Sequence, residues 1–305
     1  MKTVYYSYPA GKPVLEKMCY ALGFFDGVHI GHRKLILECV KRAHMLGLSA
    51  AVFTFPSESD GIKIGDKRLY STRDKLYLLE SLGIECTVVA DFSSVASLSP
   101  EDFIKNVLIG ELGCEFALSG EGFRFGARAS GDVALLRRGL CDAGYGSDVV
   151  LDVAHGDTPA SSTRIREALA NCDIGLANEM LSEPFFVRGV VEHGRGQGRV
   201  FGIPTVNIAL PDGFLLPAGV YKTELDIDGR AYTCLTNVGT CPSFGERQKH
   251  TETLILGYSG DLYERELVLK FLEYIRDERM FPSAEELKKQ IDSDIRRIGY
   301  GRSMD

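Results

Sequence analysis

Two histidines stand three residues apart in Gly23-Phe24-Phe25-Asp26-Gly27-Val28-His29-Ile30-Gly31-His32. The apolar residues before them (Met18, Tyr20, Ala21, Leu22) predict a strand. Residues 34–46 predict a helix, with Leu35, Ile36, Leu37, Val40, Ala43 and Leu46 on or near one face. The histidines therefore fall where a strand hands over to a helix N-terminus. Unpaired N–H groups and the positive end of the helix dipole favour anions there, phosphate above all. Gly23 and Gly27 allow tight turns, and Gly31 lets backbone approach a phosphate closely. Ser161-Ser162-Thr163-Arg164-Ile165-Arg166 offers hydroxyls and amides at a helix start and an Arg166 that can fork onto phosphate oxygens, but by itself it reads equally well as an ordinary N-cap followed by a solvated arginine. The glycine run from Gly194 through Gly198 to Gly202 reads by itself as a flexible turn before a buried strand. The histidine turn suggests a protein that handles a nucleotide.

The elements that must position these residues change character along the chain. Up to about residue 182, strands and helices alternate. Residues 49–55, 86–90, 115–118 and 149–153 predict strands; residues 71–82, 100–112 and 161–170 predict helices. That order predicts a doubly wound parallel sheet with ligands beyond the carboxyl ends of its strands. Residues 171–182 predict a short helix–turn connector. From residue 185 short strands follow at close spacing, at 186–191, 219–227, 231–235, 253–256 and 266–271, as in an antiparallel barrel. A last helix opens on Ser283 and Glu286 as a capping box, with Leu287, Ile291 and Ile295 as its apolar stripe. The boundary is placed between 182 and 183.

Composition narrows the classes. At 305 residues two domains are expected, and the net charge of −7 argues against broad nucleic-acid binding. No apolar run reaches membrane-spanning length, and the first residues lack a signal peptide's apolar core. The eight cysteines are scattered without a C-x-x-C pair, which fits free thiols in a reducing cytoplasm. A zinc site built on His29 and His32 has no further ligand at the right spacing.

An isolated H-x-x-H would read best as a helix cap with two surface histidines. The full ten-residue pattern resembles the signature G-x-F-D-G-x-H-x-G-H of the bacterial bifunctional riboflavin kinase/FAD synthetases. The resemblance implies that His29 and His32 contact ATP phosphates during attack at the α-phosphorus, with Gly23, Phe24, Asp26, Gly27 and Gly31 shaping the nucleotide turn. Ser162, Thr163 and Arg166 match the family's S-S-T-x-I-R motif. Phe123 and Phe125 match its G-x-[DN]-F-x-F-G segment in the flavin/nucleotide cleft; as bare aromatics they would be core. Residues 185–297 resemble the riboflavin kinase module. Gly194, Gly198 and Gly202 match its flap, Thr205 and Asn207 its Mg²⁺-binding P-T-x-N motif, and Asn237 its N-x-G-x-x-P-[TS]-F motif. Two neutral oxygen ligands beside a polyphosphate suit magnesium. Glu252 matches the catalytic base for the riboflavin 5′-hydroxyl, and Arg276 a residue near the flavin, or one that packs the final helix.

The implied enzyme is cytoplasmic. It uses ATP and Mg²⁺ to turn riboflavin into FMN and FMN into FAD, needs neither nucleic acid nor membrane, and is compatible with a homo-oligomer. Two departures stand in the first half. The family's T-F-x-P-H-P reads Thr54-Phe55-Pro56-Ser57-Glu58-Ser59, and Gly122 replaces an acidic or amide residue. They leave open a kinase with an impaired nucleotidyltransferase domain. Leu254 and Glu264 depart from the second-half pattern without touching a matched catalytic residue.

Overall fold

The computed structural model describes residues 1–12, 15, 17–58, 68–192, 205–240 and 249–300. It divides into two compact units, Met1–Ser162 and Thr163–Asp305.

In the first unit, strands β1 (Lys2–Tyr6), β2 (Met18–Leu22), β3 (Ser49–Thr54), β4 (Cys86–Ala90), β5 (Cys114–Gly120) and β6 (Gly146–Val150) form one parallel sheet in the order β1-β4-β3-β2-β5-β6. Helices α1 (Ile30–Leu46), α2 (Thr72–Ser81), α3 (Phe92–Val95), α4 (Pro100–Asp102, continuing as a π-helix over Phe103–Glu111) and α5 (Val133–Asp142) connect them. A small hairpin, β7 (Ala154–His155) and β8 (Thr158–Pro159), follows. The inner strands β2, β3 and β4 are almost continuously apolar and buried because both faces are covered. Tyr20, Leu22, Ala51, Phe53 and Val88 share one core with Phe103, Leu108 and Leu136. The strand order turns back between β2 and β5, so the sheet's switch point lies at their carboxyl ends. The chain leaves β2 there into the histidine turn, and leaves β5 there into the Phe123–Phe125 loop.

Several boundaries differ from the sequence reading. The first helix starts at Ile30 rather than 34, because His29 is itself its N-cap: the imidazole accepts a hydrogen bond from the His32 N–H. The strand expected at 149–153 lies at Gly146–Val150. Gly146 sits flat against Phe116, and packing there sets the register. Strand β1 and helix α5 were not anticipated. The first is an edge strand with Tyr5 exposed; the second is capped by Asp132 and buries only Leu136 and Leu140.

The second unit begins at Thr163, one residue into α6 (Ser162–Ala170), and continues through α7 (Ile174–Met180). Asn178 holds α7 to the barrel: its amide donates to the Phe271 carbonyl at 2.9 Å and its Oδ1 accepts from the Phe185 N–H at 2.8 Å. Six antiparallel strands close the barrel in the order β10-β13-β12-β11-β14-β9. They are β9 (Phe186–Glu192), β10 (Thr205–Ala209), β11 (Gly219–Ile227), β12 (Arg230–Thr240), β13 (Lys249–Ile255) and β14 (Glu266–Arg276). Thr223, Thr236 and Thr253 are fully buried and share a chain of hydroxyl hydrogen bonds at 2.6 and 2.9 Å. The terminal helix α8 (Ala284–Arg297) is capped by Ser283, which accepts from the Glu286 N–H. Its Ile291 and Ile295 pack, together with Leu254, against the cluster that holds Val220, Leu235, Leu256 and Ile275.

One residue of that buried stripe is charged. Asp294 is 2% exposed and accepts from Arg276 Nε at 3.0 Å and Nη2 at 2.9 Å. Removing one partner strands a charge in a dry contact. Asp294→Ala is therefore expected to cost the barrel unit about 3 kcal/mol, read as a lower urea midpoint. The double change Asp294→Leu with Arg276→Met should recover most of that loss.

Candidate active sites

The first site is built on an unfavourable backbone. Phe25 (φ 56°), Gly27 (φ 81°) and Val28 (φ 43°) all lie in the left-handed region. For a β-branched residue such as Val28 this is rare, and it costs on the order of 1–3 kcal/mol unless neighbours impose it. The neighbours do. The Phe24 carbonyl accepts from Thr54 Oγ1 at 2.8 Å and Lys75 Nζ at 3.1 Å. The Asp26 carboxylate accepts from the Leu69 N–H at 3.1 Å, and its carbonyl from Ser162 Oγ at 2.8 Å. At Gly27 any Cβ would stand 2.4 Å from Leu69 Cδ1, so only glycine fits.

The turn delivers His29 and His32 as a stacked pair, ring centroids 3.6 Å apart at 20°. The His32 N–H donates to His29 Nδ1 at 3.4 Å, which makes Nδ1 the acceptor and leaves Nε2–H as a donor. A Cβ at Gly31 would press on the His29 ring at 3.1 Å. Burial lowers the His29 pKa to about 4. Burial, followed by the nearby His29 and Lys75, drives that of His32 well below its ordinary value. Both rings are neutral at pH 7 in the free protein, and His32 Nδ1 is buried without a hydrogen-bond partner. A buried cation holds the turn from behind: Lys75, 1% exposed, donates to the Phe24 carbonyl, and it was given no role from sequence. It stands at the first position of the α2 stripe Lys75, Leu78, Leu79, Leu82.

The other first-half residues are close by or apart as follows. Ser162 is tied to the turn through Asp26. Phe125 is core, 7% exposed and packed on Phe103; Phe123 is partly buried and stacks on Phe125. A side chain at Gly122 would meet open space. Thr163 and Arg166 lie on the first turns of α6, where Arg166 Nη2 donates to Thr163 Oγ1 at 3.4 Å.

The second site follows from barrel register. Asn207 on β10 and Asn237 on β12 both pair directly with Glu252 on β13. Directly opposed residues share a face. Thr251 and Thr253 are fully buried, so Glu252 between them points outward and is exposed. Thr205, two residues before Asn207, lies on the same outer face and pairs with Leu254, which packs against the same cluster as Ile291 and Ile295 of α8. Asn207 also pairs with Glu192 of β9, and Asn237 Nδ2 donates to Glu278 Oε1 at 3.1 Å. Neither glutamate was given a role from sequence. Strand parity could have placed Glu192, but Glu278 needs the fold. Arg276 shares this level through Val220, yet its guanidinium is bound to Asp294 and the Asp277 carbonyl. Gly194, Gly198 and Gly202 lie outside the described residues.

An α/β unit with a phosphate-type turn at its switch point, joined to a barrel bearing a hydroxyl–amide–carboxylate row, defines a two-site nucleotide-handling protein. Residues 12–164 match the family model described as FAD synthetase, and residues 181–299 that described as Riboflavin kinase. The bifunctional riboflavin kinase/FMN adenylyltransferase of Bacillus subtilis (strain 168) is 34% identical over 305 residues, covering 96% of each chain. That of Escherichia coli (strain K12) is 33% identical over 284 residues, covering 92% of this chain and 91% of its own. A crystal structure described as a macrolide-efflux protein from Streptococcus pneumoniae superposes with TM-score 0.85 at 25% identity, over 99% of this chain and 100% of the other. The chain belongs to the bifunctional riboflavin kinase/FMN adenylyltransferase family.

The neutral histidines have a pH consequence. An unfolded histidine titrates near 6.5, whereas His29 in the fold titrates near 4. The unfolded chain therefore binds the proton first, and the stability contribution, complete above 6.5, is lost as pH falls towards 4. Histidine proton shifts followed from pH 8 to 4 should show no His29 midpoint above pH 5. A midpoint near 6.5 would contradict the burial.

Proposed function

We propose that this chain makes FAD from riboflavin in two ATP-dependent steps, one in each half. The functional division is placed at 182/183, near the start of the Riboflavin kinase match, while α6 from Thr163 and α7 belong structurally to the barrel unit. The observation that carries the reading is the row Asn207–Glu252–Asn237 in one half and the clamped His29–His32 turn in the other. Both occur in a chain that bifunctional relatives match almost end to end.

In the barrel half, the exposed Glu252 carboxylate orients the riboflavin 5′-hydroxyl and takes its proton as the oxygen attacks the γ-phosphorus of ATP. The bond to the β-phosphate oxygen breaks, leaving FMN and ADP. Thr205 and Asn207 present hard, neutral oxygens beside two carboxylates, Glu252 and Glu192, and this donor set fits Mg²⁺. Bound there with ATP, the ion would supply charge neutralisation of the polyphosphate. Asn237, held by Glu278, fixes the other side of Glu252.

In the α/β half, an FMN phosphate oxygen attacks the α-phosphorus of a second ATP, and pyrophosphate leaves. His29 Nε2–H and the ring of His32 hydrogen-bond to phosphate oxygens, and Lys75 adds charge from beneath. Such prepositioned donors stabilise spreading charge without reorganising. Phe123 stacks at the cleft in this reading. The departures at Glu58 and Gly122 remove none of the turn's clamps, so they do not favour a kinase alone.

Substrates are small molecules, and the proposed compartment is the cytoplasm. Among the described residues no helix is long and apolar enough to cross a membrane. Efflux is what the description says of the streptococcal protein. The bifunctional relatives, more similar over a comparable span, bear more directly on this chain.

Incubation with riboflavin, ATP and Mg²⁺ should yield both FMN and FAD on chromatography, and FMN alone would remove the adenylyl-transfer half. Glu252→Ala should cut FMN formation by roughly 10²–10⁴-fold. FAD formation from added FMN should stay within about threefold. His29→Ala with His32→Ala should do the reverse. Loss of both reactions in a folded variant would refute the two-site assignment.

A further inference from the structure

Lys75 is 1% exposed at the start of α2, yet its ammonium is fully used. Nζ donates to the Phe55 carbonyl at 2.7 Å, the Phe24 carbonyl at 3.1 Å and Thr54 Oγ1 at 3.3 Å, and it lies 4.6 Å from the centre of the Phe24 ring. Thr54 in turn donates to the same Phe24 carbonyl. Three donors meet three acceptors, and an aromatic face covers a fourth side. The acceptors come from two segments: the first residues after β2, and the carboxyl end of β3 with the residue that follows it.

A methionine would fill this slot without the cost of burying a charge. What the ammonium adds is a tie on the carbonyl directly before the left-handed Phe25. It also adds a positive charge that no carboxylate neutralises by contact: among the described residues, no ion pair involves Lys75. The ionisable groups facing it are Asp26 from the turn, Glu58 from the segment after β3, and His32 from α1. The first two act at a distance and the third is neutral. Burial lowers the lysine's pKa to about 8, with Asp26 and Glu58 pulling it partly back up.

We propose that Lys75 is a positioning residue for adenylyl transfer, holding the strained turn so that His29 and His32 meet the phosphates in one geometry. The proposal rests on the adenylyl-transfer reading of this half. Nothing in it concerns the barrel reaction, which therefore serves as a control in the same molecule.

The test compares full-length wild type, Lys75→Met and Lys75→Arg. FAD formation from FMN and ATP is measured across pH 6.5–9.5, beside riboflavin phosphorylation, thermal unfolding and amide exchange over residues 24–33. Lys75→Met should lower kcat for FAD formation about 30-fold or more per folded molecule, as expected when reacting groups lose alignment. The KM for ATP should move less than about fivefold and riboflavin phosphorylation should be unchanged. Exchange in the turn should quicken about tenfold or more. Wild-type kcat should fall above about pH 8, where Nζ loses a proton and one of its three donated bonds. That limb should be absent from both variants.

A folded Lys75→Met that makes FAD within about threefold of wild type overturns the proposal. So does a limb near pH 8 that persists in either variant. If wild type itself makes no FAD, the functional reading falls and the adenylyl-transfer assignment with it. Amide exchange then still decides whether Lys75 holds the turn.

Discussion

The carbonyl of Phe24 is the point on which the first unit's histidine turn depends. Immediately after it the chain must enter the left-handed region at Phe25, return, and enter it again at Gly27 and Val28. Left free, those residues would relax to ordinary dihedrals, and the two imidazoles would lose their stack. The bonds that prevent this come from Thr54 at the end of β3, from Lys75 on α2, from the Leu69 amide and from Ser162. The parallel sheet matters because it brings the carboxyl ends of β2 and β3 side by side, so that one ammonium reaches carbonyls after both. The fold thus stores strain where a phosphate would bind and pins it from several sides.

The barrel solves its own problem by parity rather than strain. A closed antiparallel sheet leaves no freedom of register, and a shift of one residue would turn Glu252 inward among the buried threonines. The direct pairings Asn207–Glu252 and Glu252–Asn237 then follow without any special backbone. The same outer face carries the apolar seat of α8, and the Arg276–Asp294 pair fastens that helix beside the row. Support and chemistry share one surface.

Much of this was legible in the chain. The alternation of apolar runs and capped helices pointed to the parallel sheet, and the closely spaced strands after residue 185 pointed to the barrel. What sequence could not show was tertiary. Arg276 was open between the flavin and the last helix, and only the fold ties it to an aspartate sitting in an apolar stripe. The charge state of the histidines depends on burial and stacking, which spacing alone does not report. Lys75 carries no sequence signal of its own, because a single lysine at a stripe position is also what a snorkelling surface side chain would show. Glu278 became visible only once the segment after β14 was brought against Asn237.

Glu58 shows how a departure in sequence can change meaning in structure. A carboxylate where relatives of this family carry histidine would repel a triphosphate if it stood free. Here it does not. Burial pushes its carboxyl up, but the Thr72 hydroxyl and amide, with Arg68 at 3.9 Å, outweigh that and hold it ionised below the usual carboxylate range. Bound to Thr72, it anchors the first turn of α2, the helix that carries Lys75 three residues later. Its charge also favours the protonated form of that lysine. An acidic residue that looked like a weakness in the nucleotide loop therefore supports, mechanically and electrostatically, the cation that holds the turn.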